Sequence, residues 1–489
     1  MNPSGIPTSV DGEPILFPRG SHDIRPRAEV FLKDETLQGA VREATTLKDR
    51  ARRDALRQAF GADVAQIRTL AGAIKQHTID HLDHYLEQWI DQAEAAGTKV
   101  HMAITAQEAN RIVVEIARDE GARLCVKSKS MVTEETHLVP ELEAAGIETV
   151  ETDLGEFIIQ IDHDAPSHIV MPMIHKDRSS VARAFERVLG ARYTEEPEEL
   201  TLIARNHLRQ KYRQADLGVS GGNFLVADNG SLVICTNEGN GRFCTSAPKI
   251  HIAVVGIEKL IPGFRDLSVL LHLLARSGTG QPLTCYTQIL TGPKQPHELD
   301  GPEQMHVVLV DAGRTKILAD PEFRSALRCI RCGACLNACP VYRKATGHAY
   351  GSVYSGPIGA VITPLLAGID KNPTLPEASS LCGACHEACP VDIDLPGLLV
   401  GLRRKIRKRR GSWMERIALV LLGLAFSRVV SYRIASKLQR FFLRCVAGAS
   451  DRVHSAPGPF SGWTRDRDLH LPARHSFRDR WARKGGRIR

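Results

Sequence analysis

The stretch CIRCGACLNACP at residues 329–340 decides how the C-terminal part of this chain folds. Its spacing is C-x2-C-x2-C-x3-C-P. Three thiols on one tight loop reach three corners of a single cubane cluster, and the thiol before the proline points to another cluster. The glycine at position 333 lets the backbone fold around the inorganic sulfides. Thiolates are soft ligands that suit iron–sulfur clusters, so the stretch predicts iron–sulfur chemistry.

A second motif, CGACHEACP at residues 382–390, repeats the last three cysteines of this pattern. Ser379 stands where the first cysteine would be. In the crossed arrangement the last cysteine of each motif serves the other cluster. Two [4Fe–4S] clusters are therefore predicted, and the second is either a [3Fe–4S] cluster or takes a fourth ligand other than cysteine, with Ser379 and His386 as candidates. The first cluster is assigned to Cys329, Cys332, Cys335 and Cys389, and the second to Cys339, Cys382 and Cys385.

Structural zinc is the alternative, because two C-x2-C pairs can hold a tetrahedral zinc ion. A run of four cysteines that ends in Cys-Pro, followed by a second Cys-x3-Cys-Pro, favours the two-cluster arrangement. The remaining cysteines are scattered, and we interpret them as small buried hydrophobic residues. They are Cys125, Cys235, Cys244, Cys285 and Cys445.

The composition is that of an ordinary globular protein of two to four domains, with 489 residues, 43% apolar and 25% charged. The net charge of +8 comes largely from residues 403–410 and from the tail after residue 465. The N-terminal residues hold no apolar run that would form a secretory signal. The longest apolar run, 417–426, is too short to span a bilayer as a helix. We therefore expect a cytoplasmic protein, with membrane contact left open.

Hydrophobic patterning divides the chain into five segments. Between residues 98 and 320, short apolar strands alternate with amphipathic helices, which predicts an α/β layer with parallel strands. A helix is expected over 107–120 and another over 134–145, capped by Thr133. Asp228-Asn229-Gly230 between two apolar runs predicts a hairpin, and hence a mixed sheet. The segments are an extended N-terminal arm (1–40), a helical segment (41–97), the α/β domain (98–320), a mostly helical two-cluster domain (321–410), and C-terminal amphipathic helices with a basic tail (411–489).

Four polar stretches follow predicted strands, at residues 127–130, 151–156, 218–223 and 236–242. Such stretches can cradle a phosphate or a carboxylate, or they can be ordinary turn and capping chemistry. Glu238 is a candidate catalytic residue, although a capping or solvated role is favoured. His168 and His175 are interpreted as ordinary polar residues and not as metal ligands. No dinucleotide fingerprint is present, because residues 218–222 do not open a strand–helix unit followed by an acidic residue.

A basic run at residues 403–410 precedes Trp413 and the apolar stretch 417–426. A basic segment beside an amphipathic helix can dock a partner protein, lie on an anionic membrane, or simply be solvated. Partner docking is the favoured interpretation. No motif supports binding to nucleic acid.

Several stretches together resemble the lactate utilisation protein B family, over roughly residues 70–404. They are SKSMVTEE, ETDLGEFIIQ, PSHIVMPMIH, GGNFLVADNGSLVICTNEGN and the two cysteine motifs. The resemblance implies a LUD domain, similar to sugar-isomerase and CoA-transferase-like folds, joined to a ferredoxin-like domain whose seven cluster ligands match the cysteines assigned above. It also implies a three-protein complex that oxidises L-lactate to pyruvate, in which this iron–sulfur subunit transfers electrons beside a cysteine-rich redox protein and a second LUD protein.

Two other functional classes stay open at this point. The α/β domain can be an enzyme in its own right, acting on a small acid or acyl substrate with the clusters as accessories. The chain can also be a regulator whose clusters respond to oxygen, although such a regulator would need DNA binding, for which the sequence offers little.

Overall fold

The computed structural model describes residues 23–411, 413–465 and 467–484. The chain divides into two compact units, Met1–Ile406 and Arg407–Arg489, and each is described by itself.

The described part of the first unit opens with four helices, and this corrects part of the predicted N-terminal arm. Ile24–Phe31 and the first residues of Glu35–Phe60 are helical instead of extended, and residues 1–22 lie outside the described part. Aspartates start the first two helices, since the Asp23 side chain accepts a hydrogen bond from Arg25 N and that of Asp34 accepts one from Leu37 N. The helices are α1 Ile24–Phe31, α2 Glu35–Phe60, α3 Val64–Asp80 and α4 Leu82–Ala95.

The α/β part that follows contains a six-stranded parallel sheet, in the order β1-β10-β7-β4-β2-β3. Its strands β4 and β7 are buried along their full length, as expected for a parallel sheet covered on both faces. The strands are β1 Lys99–Ala103, β2 Leu124–Lys127, β3 Glu148–Glu151, β4 Leu217–Ser220, β5 Phe224–Val226, β6 Ser231–Thr236, β7 Ile250–Gly256, β8 Leu260–Ile261, β9 Tyr286–Leu290 and β10 Gln304–Val310. The helices are α5 Ala106–Asp119, α6 Met131–Thr136, α7 Leu138–Ala144, α8 Leu154–Ile161, α9 Arg178–Leu189, α10 Pro197–Gln214, α11 Asn240–Ser246, α12 Phe264–Gly278 and α13 Arg314–Leu318.

The predicted hairpin is present but belongs to a separate, smaller sheet. Strands β5 and β6 pair antiparallel around the Asn-Gly turn, and the four-stranded order is β8-β5-β6-β9. The mixed sheet predicted from the hairpin is therefore confirmed for the small sheet, whereas the large sheet is purely parallel, so the α/β part holds two sheets and not one. The position of the hairpin is explained by its turn, where Gly230 has a φ of 70°. Gly230 also lies against α4, since a Cβ atom on it would be only 2.3 Å from Ala93 N. This contact holds the hairpin against α4 and away from the parallel strands.

The helix expected over 134–145 is two helices, α6 and α7. His137 separates them with a left-handed φ of 58°. The cap of α6 is Ser130, whose Oγ accepts a hydrogen bond from Thr133 N, so the prediction of Thr133 as the cap is wrong.

Residues 321–410 form helices and loops without a strand, as predicted. Helix α15 is broken at Thr346, whose φ is 63°. The next residue, Gly347, lies where a Cβ atom would be 1.6 Å from the carbonyl oxygen of Ser167, and Tyr342 Oη donates to that oxygen at 2.7 Å. The cysteine-bearing segment therefore packs directly on the α/β part. Its helices are α14 Ala334–Ala338, α15 Pro340–Tyr350, α16 Gly356–Ala367, α17 Ala384–Ala388 and α18 Leu395–Arg410.

The second unit carries two helices rich in exposed apolar side chains, α19 Trp413–Ser427 and α20 Val429–Ala447. No single helix among the described residues is long and apolar enough to cross a membrane. The pair 416–427 and 429–447 passes that test together, but it is bent by 117°. The remaining elements are β11 Arg452–Val453, β12 Leu469–His470 and α21 Phe477–Arg483, and short 3-10 turns occur at Gly61–Asp63, Ile257–Lys259, Arg324–Arg328, Leu375–Glu377 and Gly458–Trp463.

We predict that Gly347→Ala lowers the melting temperature of the cluster-loaded chain, since overpacking at this contact costs about 1–3 kcal/mol. Gly39→Ala in α2 is the matched control. A Cβ atom there has no neighbour within 4 Å, so the change should raise stability by up to about 1 kcal/mol. Anaerobic differential scanning calorimetry measures both variants. Equal melting temperatures would show that the Gly347 contact is not tight in solution.

Candidate iron–sulfur centre and the adjoining cavity

The two cysteine motifs share one backbone conformation, which makes them a structural repeat. Arg331 and Gly333 have left-handed φ values of 60° and 77°, and the corresponding Leu381 and Gly383 have 55° and 88°. A short helix follows each glycine, α14 in the first motif and α17 in the second. The glycine is needed because a side chain at this φ is strained.

The seven thiols of the two motifs fall into two groups that follow the crossed pattern. Burial raises the pKa of Cys335, and the neighbouring charges of Cys329, Cys332 and Cys389 add to the shift. Burial likewise raises the pKa of Cys385 to about 12, with Cys339 and Cys382 as its charged neighbours. The last cysteine of each motif thus lies with the other motif's thiols. We call these sets the inner group (Cys329, Cys332, Cys335, Cys389) and the outer group (Cys339, Cys382, Cys385).

The chemistry of the donor set fits an iron–sulfur cluster. Backbone N–H groups donate to three of the sulfurs at 3.4 Å, from Arg331 to Cys329, from Tyr342 to Cys339 and from Ile393 to Cys389. Such N–H···S bonds stabilise negative charge on sulfur, and hydrogen bonds of this kind help to set cluster potentials. The inner group offers four thiols, which would hold one cluster, and the outer group offers three. The role of each cysteine as a ligand stays a prediction.

The outer group differs from the inner one in exposure. Cys382 is exposed, while Cys339 and Cys385 are buried. Hydrogen bonds from Ala384 N and from the Ser380 side chain lower the pKa of Cys382. Ser380 was not singled out from the sequence, and only the local turn reveals it.

The two sequence-predicted candidates for a fourth ligand make other contacts. Ser379 Oγ accepts a hydrogen bond from Leu381 N at 3.1 Å. His386 Nε2 lies 3.2 Å from Asp392 Oδ1. Their side chains are therefore engaged within their own loop, and a ligand role for either needs a rearrangement.

The scattered cysteines are only partly the buried residues that we predicted. Cys125 and Cys244 are buried, in agreement with the prediction. Cys285 and Cys445 are exposed, so the prediction is wrong for them: Cys285 lies just before the exposed strand β9, and Cys445 lies on α20, which has no buried residue. Cys235 is half-buried and lines the cavity described next.

A cavity of about 420 Å³ lies between the sheets and the inner group. All four polar stretches noted in the sequence contribute to it, because the loops that follow β2, β3, β4 and β6 open on the same side. Ligands of α/β proteins commonly bind beyond the carboxyl ends of parallel strands. Cys332 of the first motif lines part of the cavity wall. The other polar or charged lining residues are Lys48, Lys129, Ser130, Asp153, Asn223, Thr236, Asn237, Glu238, Asn240, Lys259, Thr279, Thr284 and Arg331.

The charges around the cavity are mainly positive. Four basic side chains line the cavity and only two acidic ones, Asp153 and Glu238; the basic residues are Lys48, Lys129, Lys259 and Arg331. Burial and the neighbouring Arg331 lower the pKa of Lys259 to about 8, which leaves it mostly protonated at neutral pH. Loss of hydration beside the surrounding protein, together with the negative charge of Asp153, raises the pKa of Glu238 to about 7. Part of the Glu238 residue is nevertheless accessible to solvent. Glu238 Oε2 also accepts a hydrogen bond from Leu154 N at 3.1 Å, which fits the capping role that the sequence favoured.

A buried ion network joins this wall to the sheet. Glu258 accepts a hydrogen bond from Arg314 Nε at 2.5 Å and one from Arg331 Nη2 at 3.4 Å. Burial alone would raise its pKa, but the two guanidinium groups lower it to about 2. Arg314 also makes a bidentate pair with Glu135, with both distances 2.9 Å, and Tyr354 Oη donates to the same carboxylate at 2.6 Å. Glu258 is therefore charged and fully engaged.

His168 has the ordinary polar role that we predicted. Its Nδ1 accepts hydrogen bonds from Val170 N and Met171 N, so Nε2 is the protonated nitrogen and donates to Asn337 Oδ1 at 3.0 Å. Burial lowers the pKa of His168 to about 3, which keeps the ring neutral.

His175 lies in a cluster with Asp164 and His348, whose candidate ligand atoms are within 4.8 Å of one another. Lys176 Nζ lies 2.5 Å from Asp164 Oδ2 and already supplies the positive charge that a metal ion would bring. His175 Nε2 lies 3.0 Å from Asp164 Oδ2, and His348 of α15 reaches the carbonyl oxygen of Ala165 at 2.8 Å, so the three side chains come together where α15 packs on the α/β part. That His175 is an ordinary polar residue stays a prediction.

We predict that alanine variants of the motif cysteines fall into two spectral classes. If the groups are crossed, Cys389→Ala and Cys332→Ala leave the same residual electron paramagnetic resonance spectrum, and Cys339→Ala and Cys385→Ala leave the other one. Cys445→Ala is the control and should retain about seven to eight iron atoms per chain. A Cys389→Ala spectrum that matches Cys385→Ala would contradict the crossed grouping.

We also predict that the cluster held by the outer group loses one iron in air, because only three thiolates hold it and Cys382 is exposed. Air exposure should produce a three-iron paramagnetic signal. Ser379→Cys should suppress the signal by restoring the register of the first motif, whereas Cys285→Ser should not change it. Two four-iron clusters that persist in air, unaffected by Ser379→Cys or His386→Ala, would point to a fourth ligand from elsewhere.

Comparisons with known proteins match both parts of the first unit. The LUD domain model matches residues 86–310, and the 4Fe-4S dicluster domain model matches residues 325–393. A DUF162 family structure from Deinococcus radiodurans aligns with 47% of this chain and 98% of its own chain, at 14% identity and a TM-score of 0.26.

Three proteins called lactate utilization protein B align along most of the chain. The Bacillus licheniformis protein is 45% identical over 463 residues, which is 94% of this chain and 96% of that protein. The Shouchella clausii protein is 48% identical over 414 residues (84% and 87%), and the Bacillus subtilis protein is 44% identical over 466 residues (95% and 96%). With a LUD domain, a 4Fe-4S dicluster domain and this identity over nearly full length, the chain belongs to the lactate utilization protein B family.

Proposed function

We propose that this chain is the iron–sulfur electron-transfer subunit of a complex that oxidises L-lactate to pyruvate. The observation that carries the proposal is the different environment of the two thiol groups. Cys332 of the inner group is buried at the wall of the cavity, and Cys382 of the outer group is exposed on the surface. Two thiol groups in such different surroundings suit a subunit that receives electrons at one place and delivers them at another. The name of the relatives supplies the substrate.

The electron balance agrees with two one-electron centres. Oxidation of one L-lactate to pyruvate releases two electrons and two protons. When bound, the two clusters supply two one-electron acceptors. The inner and outer thiol groups lie close together, because the buried side chain of Tyr350 neighbours thiols of both. These thiols are Cys335 of the inner group and Cys339 and Cys385 of the outer group. Burial excludes water from this contact.

The partners in the proposal are a cysteine-rich redox protein and a second LUD protein. The exposed Cys382 side of the outer group is the place where a partner's redox centre can approach within tunnelling distance. The second unit offers a separate surface, because large apolar residues of α19 and α20 are exposed, among them Trp413, Leu421 and Phe441. We propose that this surface docks a partner protein, and that the protein is cytoplasmic, with membrane contact as the alternative.

A stand-alone enzyme is the second candidate, and the cavity favours it. A cationic cavity beside a cluster-binding loop would let the chain bind and oxidise an acid without another subunit.

We predict that the anaerobically purified chain, loaded with iron and sulfide, shows little reduction of an artificial acceptor by L-lactate on its own. Adding the two partner proteins should restore reduction. The Cys382→Ala variant should lose most of this activity while keeping the optical signal of the inner cluster. Rapid turnover by the chain alone would favour the enzyme, and no turnover with both partners present would contradict the subunit role.

A further inference from the structure

Two lysines are buried beside the first cysteine motif. Lys75 of α3 is 2% exposed, and Lys259, which lies between β7 and β8, is 6% exposed. Lys75 Nζ donates to two backbone carbonyl oxygens at 2.6 and 2.9 Å. Within the part of the chain that the structure describes, neither ammonium group pairs with a carboxylate, and the nearby Glu258 pairs with Arg314 and Arg331 instead. A buried ammonium is unfavourable unless an anion compensates its charge.

The sulfur of Cys329 is the anionic group that lies near these lysines. Burial lowers the pKa of both lysines, and negative charge on Cys329 counteracts this shift. The same charge helps to raise the pKa of Arg331 against the effect of burial. Arg331 N also donates to Cys329 Sγ at 3.4 Å, which places the residue directly at the sulfur. Because a Coulomb interaction is mutual, the three cations stabilise negative charge on Cys329.

The buried ion network does not cancel this positive charge. Arg314 and Arg331 are balanced by two carboxylates, since Glu258 pairs with both arginines and Glu135 pairs with Arg314. The charges of the two lysines are left over as an excess. A cluster held by thiolates is an anion. The inner group therefore lies in surroundings that compensate an anion, and that continue to do so when its charge grows.

The charges beside the outer group are of both signs. Arg343 lies beside Cys339, and the exposed Glu387 lies beside Cys382. The arginine of the first motif corresponds to Leu381 of the second motif, which has nearly the same φ and no charge. The two groups therefore differ in the charge around them, although their loops share one backbone conformation.

We infer that Lys75, Lys259 and Arg331 are positioning residues that raise the reduction potential of the cluster held by the inner group. Reduction adds one electron to a group that is already negative, and nearby cations stabilise the added charge. Burial of the three side chains limits the screening of this interaction by water and salt. The inference rests on the electron-transfer role in the proposed function, and it does not depend on the identity of the substrate.

A redox titration of the cluster-loaded full chain tests the inference, with dithionite as the electron donor and paramagnetic resonance as the readout. The cysteine variants described above assign each signal to its group. Lys259→Met should make the inner cluster at least about tenfold harder to reduce, a fall of about 59 mV for a one-electron couple. Arg331→Leu, which introduces the residue of the second motif, should act in the same direction, whereas Arg331→Lys keeps the charge and should restore most of the potential.

Lys316→Met is the matched control, because it removes the same charge from an exposed position on α13, where solvent screens it. Both potentials should stay unchanged in this variant. The reciprocal variant Leu381→Arg should raise the potential of the outer cluster, by less than about tenfold since the position is 38% exposed.

Iron content, measured on every variant, separates a shifted potential from a lost cluster. An unchanged inner potential in iron-loaded Lys259→Met would overturn the inference, as would equal shifts of both clusters, because general loosening of the fold moves both. If neither Lys259→Met nor Arg331→Leu retains iron, Leu381→Arg decides, and an unchanged outer potential then overturns the inference. A reconstituted complex that oxidises L-lactate despite such results would leave the proposed function standing. Shifted potentials without any turnover would contradict only that function.

Discussion

The carboxylate of Glu258 is the interaction on which the arrangement of this molecule depends. It follows β7 of the parallel sheet, is 2% exposed, and pairs with Arg314 and with Arg331 of the first cysteine motif. Removing one partner of such a buried pair costs about 3–5 kcal/mol, because the other charge is left without compensation. The network thereby fixes the first motif loop against the sheet. The cavity wall and the inner thiol group take their positions from this contact.

The same network sets the electrostatics at the inner group. Arg331, Arg314 and Lys259 outnumber Glu258 and Glu135 around it. A cluster bound by four thiolates is an anion, and net charge, hydrogen bonds and solvent exposure all tune its potential. Nearby cations favour the reduced, more negative state, while exposure of Cys382 places the outer group in a more polar setting. The two groups are therefore unlike in their surroundings although their loops have the same backbone.

The sequence predicted the parts of this protein that depend on local spacing. The cysteine grouping follows from the motif, and the helix expected over 107–120 is present as α5 Ala106–Asp119, because its apolar residues recur on one face. The hairpin turn was also predicted, but not its departure from the main sheet, since that depends on contact with α4. Arg331 could not be recognised within the motif, because its role comes from Glu258, which lies 73 residues away in the chain. Helix α1 was missed because charge and proline masked its caps.

The repeat of the two motifs shows how one loop can serve two purposes. Where the first motif has Arg331, the second has Leu381, which is 38% exposed. Where the first has Cys329, the second has Ser379. Both differences change the side-chain chemistry without changing the backbone conformation. The φ values of Arg331 and Leu381 agree within about 5°, and those of Gly333 and Gly383 within about 11°. The first motif thus has a fourth thiol and a buried cation that lines the cavity, whereas the second motif has neither, and its Cys382 is exposed.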